Sequence, residues 1–340
     1  MINRSIDGLV CPVTKQPLTL SEDRMATADN KISYRIDNGI PILLGPEAKT
    51  DLPWLRDVSA PQYQEAYSEM EFYNKTAYEL AKQIRKSGTL GSFSHLGEIA
   101  RRPPSERTAF PEPSSMWLTA TVDVAAERDC YRHIGPVANK RVVQIGGSGI
   151  VAITLLLAGA AESVLLTPML GEALVAREIA SLLGLCDKLG CVVAIAEEIP
   201  LTSASFDVCF AGGCVHHMRT EIAFAEISRI LVRGGKFAAI EPWRAPGYDI
   251  GTKLFGKREA NAFCYPLTKE RIAPFRDAFS SAEIALHGTL TRYPLIVGQK
   301  AGFALNVPRS EWVADIDDAI CNCIPFARRL GSGAALLATK

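Results

Sequence analysis

The sequence has no surplus of charge of either sign, its 37 basic residues balancing 37 acidic ones. That balance excludes the overall field that draws a protein to nucleic acid or to an acidic membrane surface, so neither is an expected partner. Long apolar runs are missing as well. The longest, Ile150 to Ala161, falls far short of the roughly 20 residues that span a bilayer. Met1 to Cys11 lacks the basic stretch followed by an apolar run that marks a secretory signal. Nine cysteines are scattered without the spacing of a disulfide framework. These absences predict a cytoplasmic protein in a reducing compartment. What is present, 48% hydrophobic residues in a chain of 340, suffices for one large core and a smaller satellite.

Three parts are expected. Residues 1–50 read as a small β-rich unit: Leu9-Val10-Cys11-Pro12 leads into a turn, Ile32 to Ile36 alternates like a strand, and Asp37-Asn38-Gly39 turns into Ile40 to Leu44. Residues 51–135 read as a helical cap and linker. Tyr63, Tyr67, Met70, Tyr73 and Tyr78 fall at helix-like intervals within 60–100, whereas Arg101 to Ser115 is rich in proline and serine and reads as an exposed loop. From 136 to 340, short β-branched runs alternate with helix-like stretches, the pattern of parallel strands joined by crossover helices. Strands are expected at Arg141 to Ile145, Ser163 to Leu166, Cys191 to Ile195, Phe206 to Ala211, Lys236 to Ile240, Glu283 to Gly288 and Ala334 to Ala338. An insertion near 290–330 is longer than an ordinary connection and could form a lid or an interface.

The strongest local signal is Val142 to Ile145 entering Gly146-Gly147-Ser148-Gly149 ahead of an apolar helix. A strand, a glycine turn and a helix in that order let backbone approach a ligand closely. Downstream follow Ser205 to Phe210, then Cys214-Val215-His216-His217-Met218, then Glu226 to Lys236 with Gly234-Gly235. In that order the four segments resemble the class I methyltransferases that act on small molecules. The resemblance implies an α/β fold, a seven-stranded, mostly parallel Rossmann-like sheet whose final pair is antiparallel, with S-adenosylmethionine as cofactor and a small molecule as substrate. Cys11 to Lys15 and Asn38 to Leu44 are similar to the zinc-ribbon-like domain of tRNA-methyltransferase activator subunits. Metal-binding members of that group use two cysteine pairs. Here Thr14 stands at the second position of the first pair, and no cysteine lies between Leu18 and Tyr34, so no metal is expected. A docking or dimerisation role suits such a unit, and a homodimer is one expectation.

The methyltransferase resemblance also assigns residues. Its three usual cofactor-binding acids fall on Gln144, Thr167 and Ile195, none of them a carboxylate. Ile195 would offer an apolar wall and Ala196 a backbone group. An aspartate at 167 would restore the ribose acceptor. Gly146, Gly147 and Gly149 form the loop, although Ile150, where glycine is preferred, would crowd the ligand. Ala211 and Gly212 would leave the methionine end open. Phe72-Tyr73-Asn74 resembles the helix that lies over the cofactor, with Tyr73 at its site. His216 and His217 are candidate bases, since an imidazole can accept a proton near neutral pH. Glu241 is a candidate base or substrate acceptor. Arg244, Arg258, Glu259 and Asn261 would line a substrate wall or an interface. Cys321-Asn322-Cys323 reads as helix, not as a metal site. The missing acids leave a second reading open, a catalytically silent binding or scaffold subunit.

Overall fold

The computed structural model describes residues 8–21, 23–52, 54–246, 267–303 and 306–340. Strands β1 (Leu18–Ser21), β2 (Arg24–Thr27), β3 (Ile32–Asp37), β4 (Ile40–Pro41) and β5 (Ala48–Thr50) form a small antiparallel sheet. It folds on Cys11 and Tyr34, both fully buried, whose thiol and phenol lie 3.2 Å apart. This unit is docked on its own chain. The backbone N–H of Leu43 donates to the Val193 carbonyl, that of Val10 donates to Pro200, and Leu9, Leu18 and Leu43 share one apolar core with Val192, Ile199 and Leu201. Lys15 reaches Glu226 across 2.6 Å.

Helix α1 (Trp54–Ser87) follows, then the short helices α2 (Ser94–Ala100), α3 (Pro104–Thr108) and α4 (Ser114–Trp117). The proline-rich stretch is exposed along most of its length, as expected, but it is not all loop, since α3 and the start of α4 lie within it. Proline suits a first helical turn, where its missing N–H costs nothing, and Phe110 and Trp117 are fully buried, packed edge-to-face with ring centroids 5.0 Å apart.

After α5 (Val124–Ile134), strands and helices alternate: β6 (Arg141–Ile145), α6 (Ile150–Leu157), β7 (Glu162–Thr167), α7 (Leu170–Leu182), β8 (Leu189–Val193), β9 (Phe206–Gly212), α8 (Thr220–Ile230) and β10 (Leu231–Pro242). Then come α9 (Ala273–Ala278), β11 (Ser281–His287), α10 (Arg292–Lys300), α11 (Val307–Cys323) and β12 (Gly333–Thr339). The seven-stranded sheet has the order β11-β12-β10-β9-β6-β7-β8, and β12 pairs antiparallel with both its neighbours. This is the Rossmann-like methyltransferase architecture. Both faces are covered, so strand residues alternate between two cores rather than between core and water. Val142, Leu165 and Phe210 face α1, α5, α6 and α7, while Val143, Leu166 and Ala211 face α8, α9 and the N-terminal unit. Strand β8 ends at Val193, two residues before the expected end, which leaves Ile195 in the turn beyond it. The insertion forms α10 and α11, tied to α5 by Arg128 with Asp315 and Asp318. Cys321 and Cys323 lie in α11, the first buried and the second exposed. Among the described residues no helix is long and apolar enough to cross a membrane.

Candidate functional site

In this order the chain steps outward from β6 to β7 and β8, then returns to β9 on the other side of β6. Open α/β sheets bind ligands at such a switch point, beyond the carboxyl ends of the strands. A cavity of about 350 Å³ lies there, lined by Tyr73, Ile145, Gly146, Gly147, Leu166, Pro168, Met169, Glu172, Ala194, Ile195, Ala196, Glu197, Gly212, Gly213, Cys214, His217 and Met218. Seven residues expected from the sequence meet in it: Tyr73, Gly146, Gly147, Ile195, Ala196, Gly212 and His217. The insertion contributes none of its described residues to this lining.

Six others stand outside the lining, each for a visible reason. Gln144 spans the glycine loop, donating to the Gly146 carbonyl at 2.7 Å and accepting the Ala152 N–H at 2.7 Å. It thereby serves one of the first N–H groups of α6, which has no side-chain cap of its own. Gly149 faces α7: a Cβ there would lie 2.6 Å from that of Ala176. Thr167 donates its hydroxyl to Glu172. Ala211 is packed into the sheet core. His216 and Glu241 are buried together, Nδ1 to carboxylate at 2.7 Å, and the Glu241 carboxylate also accepts the N–H groups of Cys214, Val215 and His216. Glu241 thus holds the turn after β9 rather than facing the crevice. The His216 and His217 rings lie 3.9 Å apart between centroids, and only His217 reaches the cavity.

Ile150 does not crowd the ligand space. It opens α6 and packs with the core beneath α1 and α7. The crevice stays open because the turn is made by Gly146 and Gly147, at φ +72° and +70°. A side chain at Gly146 would meet Cys214 Sγ at 2.7 Å. Helix α1 roofs the site: Asn74 Oδ1 accepts the Gly171 N–H, and a Cβ on Gly171 would lie 2.6 Å from the Asn74 carbonyl, so the helices nearly touch. That approach brings Tyr73 to the cavity wall.

Two carboxylates unforeseen in the sequence line the space. Glu172 stands in the first turn of α7, held by Thr167, and Glu197 stands in the turn after β8, accepting the Arg219 N–H at 2.8 Å. Both follow their strands by a few residues, a displacement that an ungapped reading passes over. Its neighbour Glu198 accepts the hydroxyl of Tyr63 from α1. The wall residues Arg258, Glu259 and Asn261 lie outside the described residues, and Arg244 is exposed and absent from the lining. Among the described residues no cluster of three or more histidine, cysteine or acidic side chains is gathered for a metal.

Fold and cavity define this part of the chain as a domain of the class I methyltransferase type, the class whose cofactor is S-adenosylmethionine. Residues 145–239 match the family model described as a methyltransferase domain. The chain belongs, through its N-terminal unit, to the UPF0434 protein family. It is 47% identical over 47 residues to a UPF0434 protein of Marinomonas sp., a match covering 13% of this chain and 72% of that protein. A UPF0434 protein of Variovorax paradoxus is 38% identical over 52 residues, covering 15% and 87%. Among solved structures, geranyl diphosphate C-methyltransferase from Streptomyces coelicolor is similar at 17% identity and TM-score 0.47, over 64% of this chain and 78% of that one. Phosphoethanolamine N-methyltransferase 2 of Haemonchus contortus is similar at 17% identity and TM-score 0.44, over 62% and 51%.

Proposed function

We propose that the chain binds S-adenosylmethionine in this cavity and transfers its methyl group to a small molecule. The observation that carries the reading is the cavity itself: a space of ligand size at the sheet's switch point, with a glycine turn on one wall and Glu172 and Glu197 on the others. Its residues fit the group. Glu172, braced by Thr167, accepts ribose hydroxyls, Ile195 and Leu166 pack on the adenine, and the small Gly212 and Gly213 leave room for the amino-acid end. Tyr73 and the α1 roof keep water out. S-adenosylmethionine bound there supplies an electrophilic methyl on a sulfonium centre, so the chain's own work is mainly alignment. His217 takes the proton of the acceptor, and His216, locked by Glu241, holds the His217 ring in place by packing against it.

A catalytically silent binding or scaffold subunit is the second reading. It is favoured by Gln144, whose amide is spent inside the loop where the family carries an acid. Calorimetric titration with S-adenosylmethionine and S-adenosylhomocysteine, followed by transfer of a labelled methyl to the small-molecule fraction of a cell extract, separates the two. The methyltransferase reading expects binding and transfer. Binding without transfer supports a silent binding subunit, and no heat at millimolar ligand defeats methyl transfer and leaves the silent scaffold.

A further inference from the structure

On the far side of the wall formed by His217 and Met218 lies an open groove of about 430 Å³, which those two residues share with the cavity. Arg271 builds this wall. Its guanidinium donates to the carbonyls of His216 at 3.0 Å and Met218 at 2.9 Å, so its charge is committed to backbone. Arg219 also lines the groove, and among the described residues its guanidinium makes no hydrogen bond or ion pair. Arg219 precedes α8, where a cation opposes the helix dipole, and its backbone N–H already serves Glu197. A half-buried guanidinium of this kind is suited to a planar oxyanion, which it can bind through two parallel N–H donors. Glu221 and Glu270 line the same groove and are exposed. Their charges disfavour a polyanion and suit a ligand with a single anionic group.

We propose that the groove is the acceptor subsite of the methyl-transfer reaction, and that Arg219 there binds a carboxylate or phosphate monoester carried by the acceptor. This rests on the reading of the adjoining cavity as the cofactor site. The acceptor's nucleophile then lies at the His217 wall, where the two spaces meet.

The test is nitrogen-15 spectroscopy of the full chain titrated with acetate or inorganic phosphate, with and without S-adenosylhomocysteine, and with chloride at matched ionic strength as the blank. The expected result is saturable shifts of the Met218, Arg219 and Thr220 amides with an oxyanion and none with chloride. Arg219→Gln should weaken the oxyanion at least fivefold, Arg219→Lys, which keeps the charge but loses the two-donor fork, should fall between wild type and Arg219→Gln, and both should leave S-adenosylhomocysteine affinity unchanged. Tighter acetate identifies a carboxylate acceptor, and tighter phosphate a phosphorylated one. Shifts that do not saturate, or an unchanged constant in Arg219→Gln, overturn the proposal. Oxyanion binding at Arg219 in a chain that takes no S-adenosylhomocysteine removes the methyl-transfer reading, and the acceptor assignment with it, and leaves a bare anion site.

Discussion

Thr167 donates its hydroxyl to the Glu172 carboxylate across 2.9 Å. The end of β7, which carries no acid, thereby holds one that belongs to the next helix. Glu172→Gln keeps the size of the side chain and removes the charge. It should weaken S-adenosylmethionine about tenfold, since a charge-assisted hydrogen bond exceeds a neutral one by roughly 1 to 1.5 kcal/mol. Thr167→Asp, which the sequence alone favours as a repair, should also weaken binding. It sets a second carboxylate at hydrogen-bond distance from the first, and like charges so close do not both ionise without cost. Calorimetry on the two variants checks both signs, and tighter binding by Thr167→Asp would return the ribose acceptor to position 167.

The alternation of strands and helices and the glycine turn were legible because they follow from hydrophobic period and backbone sterics, which are local. Tyr73 was legible through its place on a helix upstream of β6. Glu172 and Glu197 were not, because nothing in their neighbours' identity says that a carboxylate one turn beyond a strand end bends back over it. That is decided by Asn74 against Gly171 and by the Arg219 N–H, contacts across 97 and 22 residues. Gln144 and Gly149 look like ligand groups in the sequence, although one braces α6 and the other admits α7. Close packing and ligand approach ask for the same residues, and only the third dimension separates them.

Gly146→Ala tests the turn. The residue sits at φ +72°, and a methyl group there would meet Cys214 Sγ at 2.7 Å. Backbone strain of about 1 to 2 kcal/mol adds to the clash, so urea unfolding should report a loss of roughly 2 kcal/mol or more. Pairing it with Cys214→Gly, which removes the obstacle but not the strain, should recover part of that loss. Full recovery would mean that the left-handed backbone costs nothing, and no recovery that Cys214 is not the obstacle.

His287 on β11 lies 2.9 Å from Asp129 on α5 and 3.8 Å from Asp318 on α11. Burial pulls its pKa down, but the nearby carboxylates of Asp129 and Asp318 outweigh that and lift it from 6.5 to about 9. A pKa raised on folding stabilises the native state fully below the unfolded value and ceases to do so as pH climbs through the folded one. Between pH 6.5 and about 9.5 the wild type should therefore lose roughly 1 to 3 kcal/mol more stability than His287→Gln. Urea titrations of both proteins across that window give the difference directly. Equal slopes would show that the imidazole does not hold the insertion to α5.

Glu241 decides whether the turn after β9 is held by chemistry or only by packing. Its side chain is fully buried, and its carboxylate accepts three consecutive backbone N–H groups as well as His216 Nδ1. Truncation leaves all four donors facing a hole that water enters poorly, so Glu241→Ala should cost about 3 to 5 kcal/mol. Glu241→Gln keeps one acceptor oxygen but turns an amide toward donors, and should fall between wild type and alanine. The same turn carries Gly213 and Cys214 into the cavity, so S-adenosylmethionine affinity should decline in step with stability across the three proteins. A group that instead removed a proton from substrate would behave differently. Glu241→Gln would then retain stability and cofactor affinity and lose turnover alone. Unfolding curves, calorimetry and a methyl-transfer assay on the same preparations separate the outcomes, and a stable, cofactor-binding Glu241→Gln that has lost turnover would make Glu241 a chemical participant after all.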